Sequence, residues 1–454
     1  MWKKKSLHDE EVGALRESLR DKKEPLLFER RHPSNALRTP AEGAQKLDIT
    51  HLNKIIAIDR EEQMVWVEPG ITFKELCEET LPHGLVPPVV TEFQTISLGG
   101  AIQGTALESS SHKFGQVADN CLAYEAILGN GELLMLSPEE HPELFYALSG
   151  SYRTLAIITL VKLKLRPAKK YVHLTYHHFS STSSLVDFLN TPQDVDFVEG
   201  IWLSPESGIA ITGRLTDEPQ APLYRQKWWW STWFIQHVSS TKAKEETMKL
   251  EEYLFRYDRG AFWMARYLHS IPSFLKLLFK RGVPDIKERS LNPGFFFRFA
   301  FGWNFSSETL YKMWHRLPKA VSENLFFVHD YYIPVERAEE ALNQFQKQTG
   351  ISPIWLCPIR GTNTPQILSP HYGKERFLNL GFYGVPKGVK DLPSLSAELE
   401  KEVLSFGGKK MLYSYTYYDK ETFYRAYYHE KYQELRERYH AENRFPPLYN
   451  KVKM

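Results

Sequence analysis

Residues 96–115, ISLGGAIQGTALESSSHKFG, place glycines at 99, 100, 104 and 115 around three consecutive serines. Neither a strand nor a helix needs that composition for itself. A glycine-rich turn whose amides converge forms a positive concavity, and without Cβ atoms a phosphate can reach the backbone. The same glycines also serve tight turns between strands, so composition alone admits a cradle or a connection. The stretch is neither G-x-x-x-x-G-K-[ST] nor G-x-G-x-x-G, which sets aside the P-loop and the Rossmann fingerprint. Its form is [ST]-x-G-G-x-x-x-G-[TG]-x-x-[ES]-S, with VEPG at 67–70 upstream and AYEAILGNGE downstream. Metal chemistry has no comparable signal. Cys77, Cys121 and Cys357 are far apart, and none has zinc-ligand spacing.

The elements that must hold this loop are short and alternate quickly. Lys54–Ile58 and Gln63–Val67 read as strands around a charged turn. Thr72 and Glu75 have capping-box spacing for a helix ending before Pro82-His83-Gly84. Asn130-Gly131 marks a hairpin in CLAYEAILGNGELLMLS. In SPEEHPELFYALSG, Ser137 is expected to cap a helix with Pro138 at its first position and Glu140 closing the box. TLAIITLVKLKLRP is a long strand stopping at Pro167. Such a unit is α+β rather than doubly wound. After it, FVHDYYIP, SPIWLCPI, FLNLGFYGVP and KMLYSYTYYD read as strands. A Pro-initiated segment following FVHDYYI in FVHDYYIPVERAEEALNQFQKQTG, PSLSAELEKEVLSFGG and KETFYRAYYHEKYQELRERYH read as helices, the first with Ala338, Ala341, Leu342 and Phe345 on one apolar face.

The chain has 454 residues, enough for two domains, with 42 % hydrophobic and 25 % charged residues. A net charge of +2 gives no pull toward nucleic acid. An odd, sparse cysteine count argues against a disulfide framework and for a reducing, cytoplasmic setting. The N-terminal stretch is charged throughout, with no apolar run of a signal peptide or anchor, and no transmembrane segment is expected. Aromatic residues make up 14 % and crowd the later part of the chain. RQKWWWSTWFIQHVSS (225–240) and IPSFLKLLFKRG (271–282) admit a buried face with basic flanks or a peripheral membrane contact.

VEPGITFKEL, GLVPPVV, SLGGAIQGTALESSSHKFG, CLAYEAILGNGELLMLSPEEHPELFYALSGS, LRPAKKYV, PIWLCP and FPPLYNKV follow one another in an order that resembles the delta-24-sterol reductase family. These are FAD-binding proteins of the vanillyl-alcohol-oxidase (PCMH) type. The resemblance runs from about Leu26 to the C-terminus. It implies a two-domain α+β fold: an FAD-binding PCMH-type domain at 1–168, and an antiparallel-sheet substrate or cap domain at 169–454 whose last segment can pack back on the first. It also implies that the flavin diphosphate lies between two loops. The first maps onto ERRHPSNALR, with Arg30, Arg31, His32, Ser34 and Asn35, whose guanidinium forks, hydroxyl and amide suit a diphosphate. The second maps onto Ser97, Leu98, Gly99, Gly100, Ala101, Gly104 and Thr105 near the phosphates. Glu108, Ser109, Ser110, Ser111, His112 and Gly115 continue toward the ring, and Ile158 lies on the following strand.

The implied activity is reduction of a C=C bond in a sterol-like or other hydrophobic substrate, with hydride from NADPH through flavin N5 and the FAD held non-covalently. An FAD oxidase or dehydrogenase of the same type, or a degenerate lipid-binding flavin fold, stands as the alternative. The missing proton then needs a donor. Tyr331, Tyr332, Tyr383, Tyr417 and Tyr418 are the candidates, Tyr331, Tyr332 and Tyr418 foremost, with Asp330 and Asp419 nearby, and each could equally be a core residue. Three positions depart from the family pattern. Pro33 removes an amide donor from the first loop, and Arg153 and Ala156 stand where glycines are usual.

Overall fold

A computed structural model describes residues 2–20, 26–37, 46–279, 291, 293–389 and 391–453. In the first unit, five antiparallel strands run in the order Ile55–Asp59, Met64–Val67, Ile157–Lys164, Cys121–Ile127, Leu133–Leu136. The central strand Ile157–Lys164 is buried along most of its length because both faces of the sheet are covered. On one side Ile127 and Ile157 pack with Val12, Leu15 and Leu19 of the helix Trp2–Arg20 and with Phe445 from the chain's end. On the other side Tyr124, Ile158, Val161 and Leu163 enter the main core.

The capping box forms as its spacing predicts. Thr72 Oγ1 accepts from the Glu75 amide at 3.2 Å and Glu75 returns a carboxylate to the Thr72 amide at 2.9 Å, starting the helix Phe73–Thr80. The expected helix at Ser137 starts five residues later, at Pro142–Ala147. Ser137 instead accepts from the amides of Glu139 and Glu140 in a turn, and Pro142, which has no N–H to give that turn, takes the first helical position.

The second unit is an eight-stranded sheet, every pairing antiparallel. Its order is Glu245–Lys249, Tyr171–Phe179, Ser207–Thr216, Phe197–Ser204, Ile354–Arg360, Arg376–Gly384, Phe327–Pro334, Lys409–Lys410. Helices Thr182–Asn190, Ala338–Thr349 and Leu392–Ser405 cover one face, burying Leu185, Leu189, Ala341, Leu342, Phe345, Leu399 and Val403. The other face joins the first unit in one continuous core, where Phe197, Ile201, Ile209, Tyr332 and Trp355 share a cluster with Leu98, Ile158 and Val161.

Two sequence expectations fail here. Of KMLYSYTYYD only Lys410 is strand, as the end of Lys409–Lys410, because the later residues turn away to start the helix Lys420–Ala426 at Asp419. The long terminal helix is broken at Tyr428, whose φ of +51° separates Lys420–Ala426 from His429–Arg438. That last helix and the segment after it lie against the first unit: Arg436 donates to the Thr154 carbonyl at 2.6 Å, and Arg444, beyond the helix, to the Gly129 carbonyl at 3.0 Å. Residues 280–282 of the second candidate membrane stretch lie outside the described residues.

Candidate active site

A cavity of about 840 Å³ opens where the two units meet, near the upper end of the roughly 300–1,000 Å³ of small-molecule and cofactor sites. Both sequence-predicted loops reach it. Arg30, Arg31, His32, Ser34 and Asn35 line one end, with Ser97, Gly99, Gly100, Ala101, Gly104 and Ile158 beside them.

The two loops contribute different things. In the second loop the amides are already used. Leu98 N–H donates to Ile71 O, Gly99 N–H to Pro69 O at 2.8 Å, Gly100 N–H to Ser97 Oγ and Ala101 N–H to Ser97 O. The converging-amide cradle expected from the glycines is therefore absent from these four residues. Gly99 is small because a Cβ there would lie 2.6 Å from Pro69 Cβ, and Gly104 because one would lie 2.6 Å from the Gly100 carbonyl. The second loop is a close-packed wall. In the first loop the amides of Arg30, Arg31, His32, Ser34 and Asn35 have no partner among the described residues. Pro33 interrupts that row as the sequence requires.

Positive charge completes the end of the cavity. Arg31 is committed to Glu75 by two hydrogen bonds of 2.8 and 3.2 Å, and His32 faces Glu308 at 3.3 Å. Arg30 and Arg153 have no carboxylate partner among the described residues. Arg30 opens toward the cavity while protein surrounds it, and burial lowers its pKa. Arg153 is lowered to about 9, by burial first and by the charge of Arg30 second. Two guanidinium groups, the charge of Arg30 lowering Arg153, beside a row of amides without a partner among the described residues, fit a diphosphate. These residues would hold the diphosphate of a flavin nucleotide, whose ring supplies hydride chemistry when bound.

Several predicted site residues are elsewhere. Leu98 is fully buried in the core, and Thr105, with φ of +61°, hydrogen-bonds the Gly104 carbonyl. Glu108 pairs with the buried Arg256 at 2.8 Å, and Arg256 also holds Glu199 at 2.8 Å. Ser109 meets Tyr253 and the Arg256 fork, and Ser111 accepts from the Glu108 amide. Ser110 is buried beside them, and His112 bridges the carbonyls of Ser109 and Val195. Gly115, with φ of +67°, leaves room for Asp119. None of these lines the cavity. They bolt the second loop to the eight-stranded sheet, which is why the run is rich in small polar residues.

Of the five tyrosines taken as proton-donor candidates, Tyr383 lines the cavity, while Tyr331, Tyr332, Tyr417 and Tyr418 do not. Tyr331 points to the helix side of its strand, packed against Phe345 and Phe382. Tyr332, on the opposite face, has its hydroxyl hydrogen-bonded by Gln116 behind Thr105. Tyr418 is buried against Phe423 and Tyr427. Strand alternation instead sends Val328 and Asp330 into the cavity. Asp330 accepts from Asn379 Nδ2 at 2.6 Å, Tyr383 Oη at 2.9 Å and Tyr413 Oη at 2.6 Å. Gly381, paired with Asp330 across the ladder, permits this, since a Cβ there would lie 2.5 Å from the Tyr383 hydroxyl. Tyr311 and Glu92 complete the polar lining at this end, among Phe93, Phe262, Trp314, Phe326 and Trp355. Sequence reading missed Glu92 and Tyr413, which no motif marks.

An FAD binding domain model matches residues 8–137. The chain is 30 % identical over 423 residues to the delta(24)-sterol reductase of Homo sapiens, covering 88 % of this chain and 76 % of the relative. It is 26 % identical over 451 residues to the delta(24)-sterol reductase of Pisum sativum, covering 90 % and 76 % respectively. Cytokinin dehydrogenase 8 of Oryza sativa subsp. indica is 31 % identical over 162 residues, 34 % of this chain and 30 % of that protein. With both loops on one cavity and this likeness along most of its length, the chain belongs to the delta(24)-sterol reductase family of FAD-binding oxidoreductases.

Proposed function

We propose that this protein is an FAD-dependent reductase that saturates a side-chain double bond of a sterol-like substrate, with NADPH as reductant. One observation carries the reading. A single cavity joins a guanidinium-lined end on the first unit to an aromatic end roofed by the second. The charged end holds the diphosphate, and FAD bound there supplies hydride at its ring. Phe93, Phe262, Trp355 and Phe326 exclude water and align an apolar substrate, while Asp330 fixes the hydroxyls of Tyr383 and Tyr413. No Rossmann fingerprint offers NADPH a site of its own, so the reductant shares the cavity.

A membrane surface is the source of substrate in this reading. Phe296 is 85 % exposed, Trp303 63 % and Trp228 50 %, and Trp229, Phe295, Phe299 and Phe279 add to the patch. Lys227 stands over the Trp228 ring at 5.2 Å, as at an interfacial site. The patch is rooted in a cluster of Trp233, Phe274 and Phe305 that includes Leu268, and Leu268 lines the cavity. Among the described residues no helix is long and apolar enough to cross a membrane.

Anaerobic mixing tests the activity. NADPH is expected to bleach the flavin, and a sterol carrying a C24 double bond is expected to restore its colour without oxygen. A flavin that NADPH leaves oxidised overturns the reductase in favour of the oxidase.

A further inference from the structure

We infer that Glu92 donates the proton in this reduction, an inference that rests on the reductase reading above. Glu92 lies on the connection before the glycine loop and lines the aromatic end of the cavity. Its neighbour Phe93 packs edge-on to Phe262 at 5.9 Å and to Tyr311 at 6.0 Å, fixing that connection from the second unit's side. The Glu92 carboxyl is in reach of its own backbone N–H, and no other residue's group hydrogen-bonds it among the described residues.

The charged groups in reach are Glu108, Asp330 and Arg256, with Tyr311 and Tyr383 close enough to feel Glu92 in turn. Arg256 is the cation among them, and it is spent on Glu108 and Glu199. Burial first, then the two acidic neighbours, push the Glu92 carboxyl up to about 8. At neutral pH it is therefore an acid holding an O–H that no protein acceptor takes.

The other polar groups lining this end are worse donors. Burial raises the Asp330 carboxyl too, but its oxygens are taken by three donors, Asn379, Tyr383 and Tyr413, which pull against that rise. Tyr383 gives its hydroxyl proton to Asp330, and burial together with that carboxylate raises its pKa well above the ordinary value. The addition balances with one hydride and one proton. FAD bound at the guanidinium-lined end and reduced by the nicotinamide reductant would supply the hydride for one new C–H bond. The π electrons form the other with the Glu92 proton, whose O–H bond breaks to leave a carboxylate that solvent reprotonates between turnovers.

Glu92→Gln in the FAD-loaded full chain separates the steps. Flavin reduction by NADPH is expected within about twofold of wild type, while reoxidation of the reduced flavin by a C24-unsaturated sterol slows by roughly 10²- to 10⁴-fold. The wild-type sterol step should fall above about pH 8, and the variant should lose that limb. The apoprotein provides a readout without turnover. An infrared band of a protonated carboxyl should vanish with a midpoint near 8 and be missing from Glu92→Gln. A variant within threefold of wild type, a band that survives the substitution, or a loss confined to Tyr383→Phe overturns the assignment. A wild type whose reduced flavin no such sterol reoxidises overturns the reductase reading and the proton transfer with it. A competent wild type matched by the variant overturns Glu92 alone.

Discussion

The guanidinium of Arg153 stands 5.3 Å from the ring centre of Phe28, on a backbone with φ of +63° that side chains rarely adopt. Tyr152 before it is also left-handed, at +49°. A residue held in that region costs about 1–3 kcal/mol unless glycine, so the arginine is retained against local strain. In the function proposed above, the partner of this arginine would be the diphosphate of the bound FAD.

Arg153→Gly should relieve the strain and raise apoprotein stability, yet weaken FAD binding roughly ten- to hundredfold through loss of a charge-assisted contact. Salt dependence of binding should fall as well. Titration of apoprotein with FAD at two salt concentrations reads both, and tighter binding by the glycine variant would show the side chain as an intruder.

Gly100 and Gly104 should part company. A Cβ on Gly100 meets only Ser97 Oγ, whereas one on Gly104 meets the Gly100 carbonyl. Gly100→Ala should therefore fold normally and lose FAD affinity by protruding into the cavity. Gly104→Val should lose thermal stability even as apoprotein. Equal melting temperatures for both would contradict the packing described.

Arg256 links Glu108 of the first unit to Glu199 of the second in full burial. Arg256→Met leaves two carboxylates uncompensated, and removing one partner of a buried pair costs about 3–5 kcal/mol. Urea unfolding should show a loss of this size. A loss under about 1 kcal/mol would mean the three charges are not coupled.

His8 sits between Glu68 at 2.8 Å and Glu125 at 2.9 Å, with Lys5, Asp9 and Lys54 around them. Burial opposes its charge, but the two carboxylates outweigh burial and raise its pKa to about 9. A folded pKa above the ordinary 6.5 gives a stabilisation complete below about 6.5 and lost as pH rises through about 9. Glu125, whose pKa is lowered by His8 and Thr159 against burial, works in the opposite sense and is lost on acidification. The helix Trp2–Arg20 should thus loosen first in alkali. Amide exchange in that helix should quicken above about pH 9 in wild type and already at neutral pH in His8→Ala.

The exposed aromatic patch gives a binding prediction. Trp228→Ser, Phe296→Ser and Trp303→Ser together should abolish co-flotation with anionic liposomes while leaving the melting temperature nearly unchanged. Trp233 belongs to the core at 1 % exposure, so Trp233→Ser should unfold the second unit instead. Unaltered flotation of the triple variant would remove the membrane from the reading.

Local chemistry settled much of this protein in the sequence itself. Thr72 and Glu75 define a helix start wherever they occur, the apolar face of 338–345 demands a sheet beneath it, and the two loops carry residue types that suit a diphosphate. What only the tertiary structure decided is which of those residues meet. Glu108 and the serines beside it read as ligand groups, but Arg256, distant in sequence, claims Glu108 and Ser109 across the interface. The glycine loop read as a donor cradle, but its amides close on Ile71, Pro69 and Ser97, and the amides without a partner among the described residues lie on the first loop. Tyr331 and Asp330 are adjacent in sequence, yet the period of two in a strand puts one among helices and the other in the cavity. Glu92 carries no motif at all. The proton-donor role proposed for it rests on its place on the cavity wall near Asp330, Tyr311 and Tyr383, which only the packing of distant elements decides.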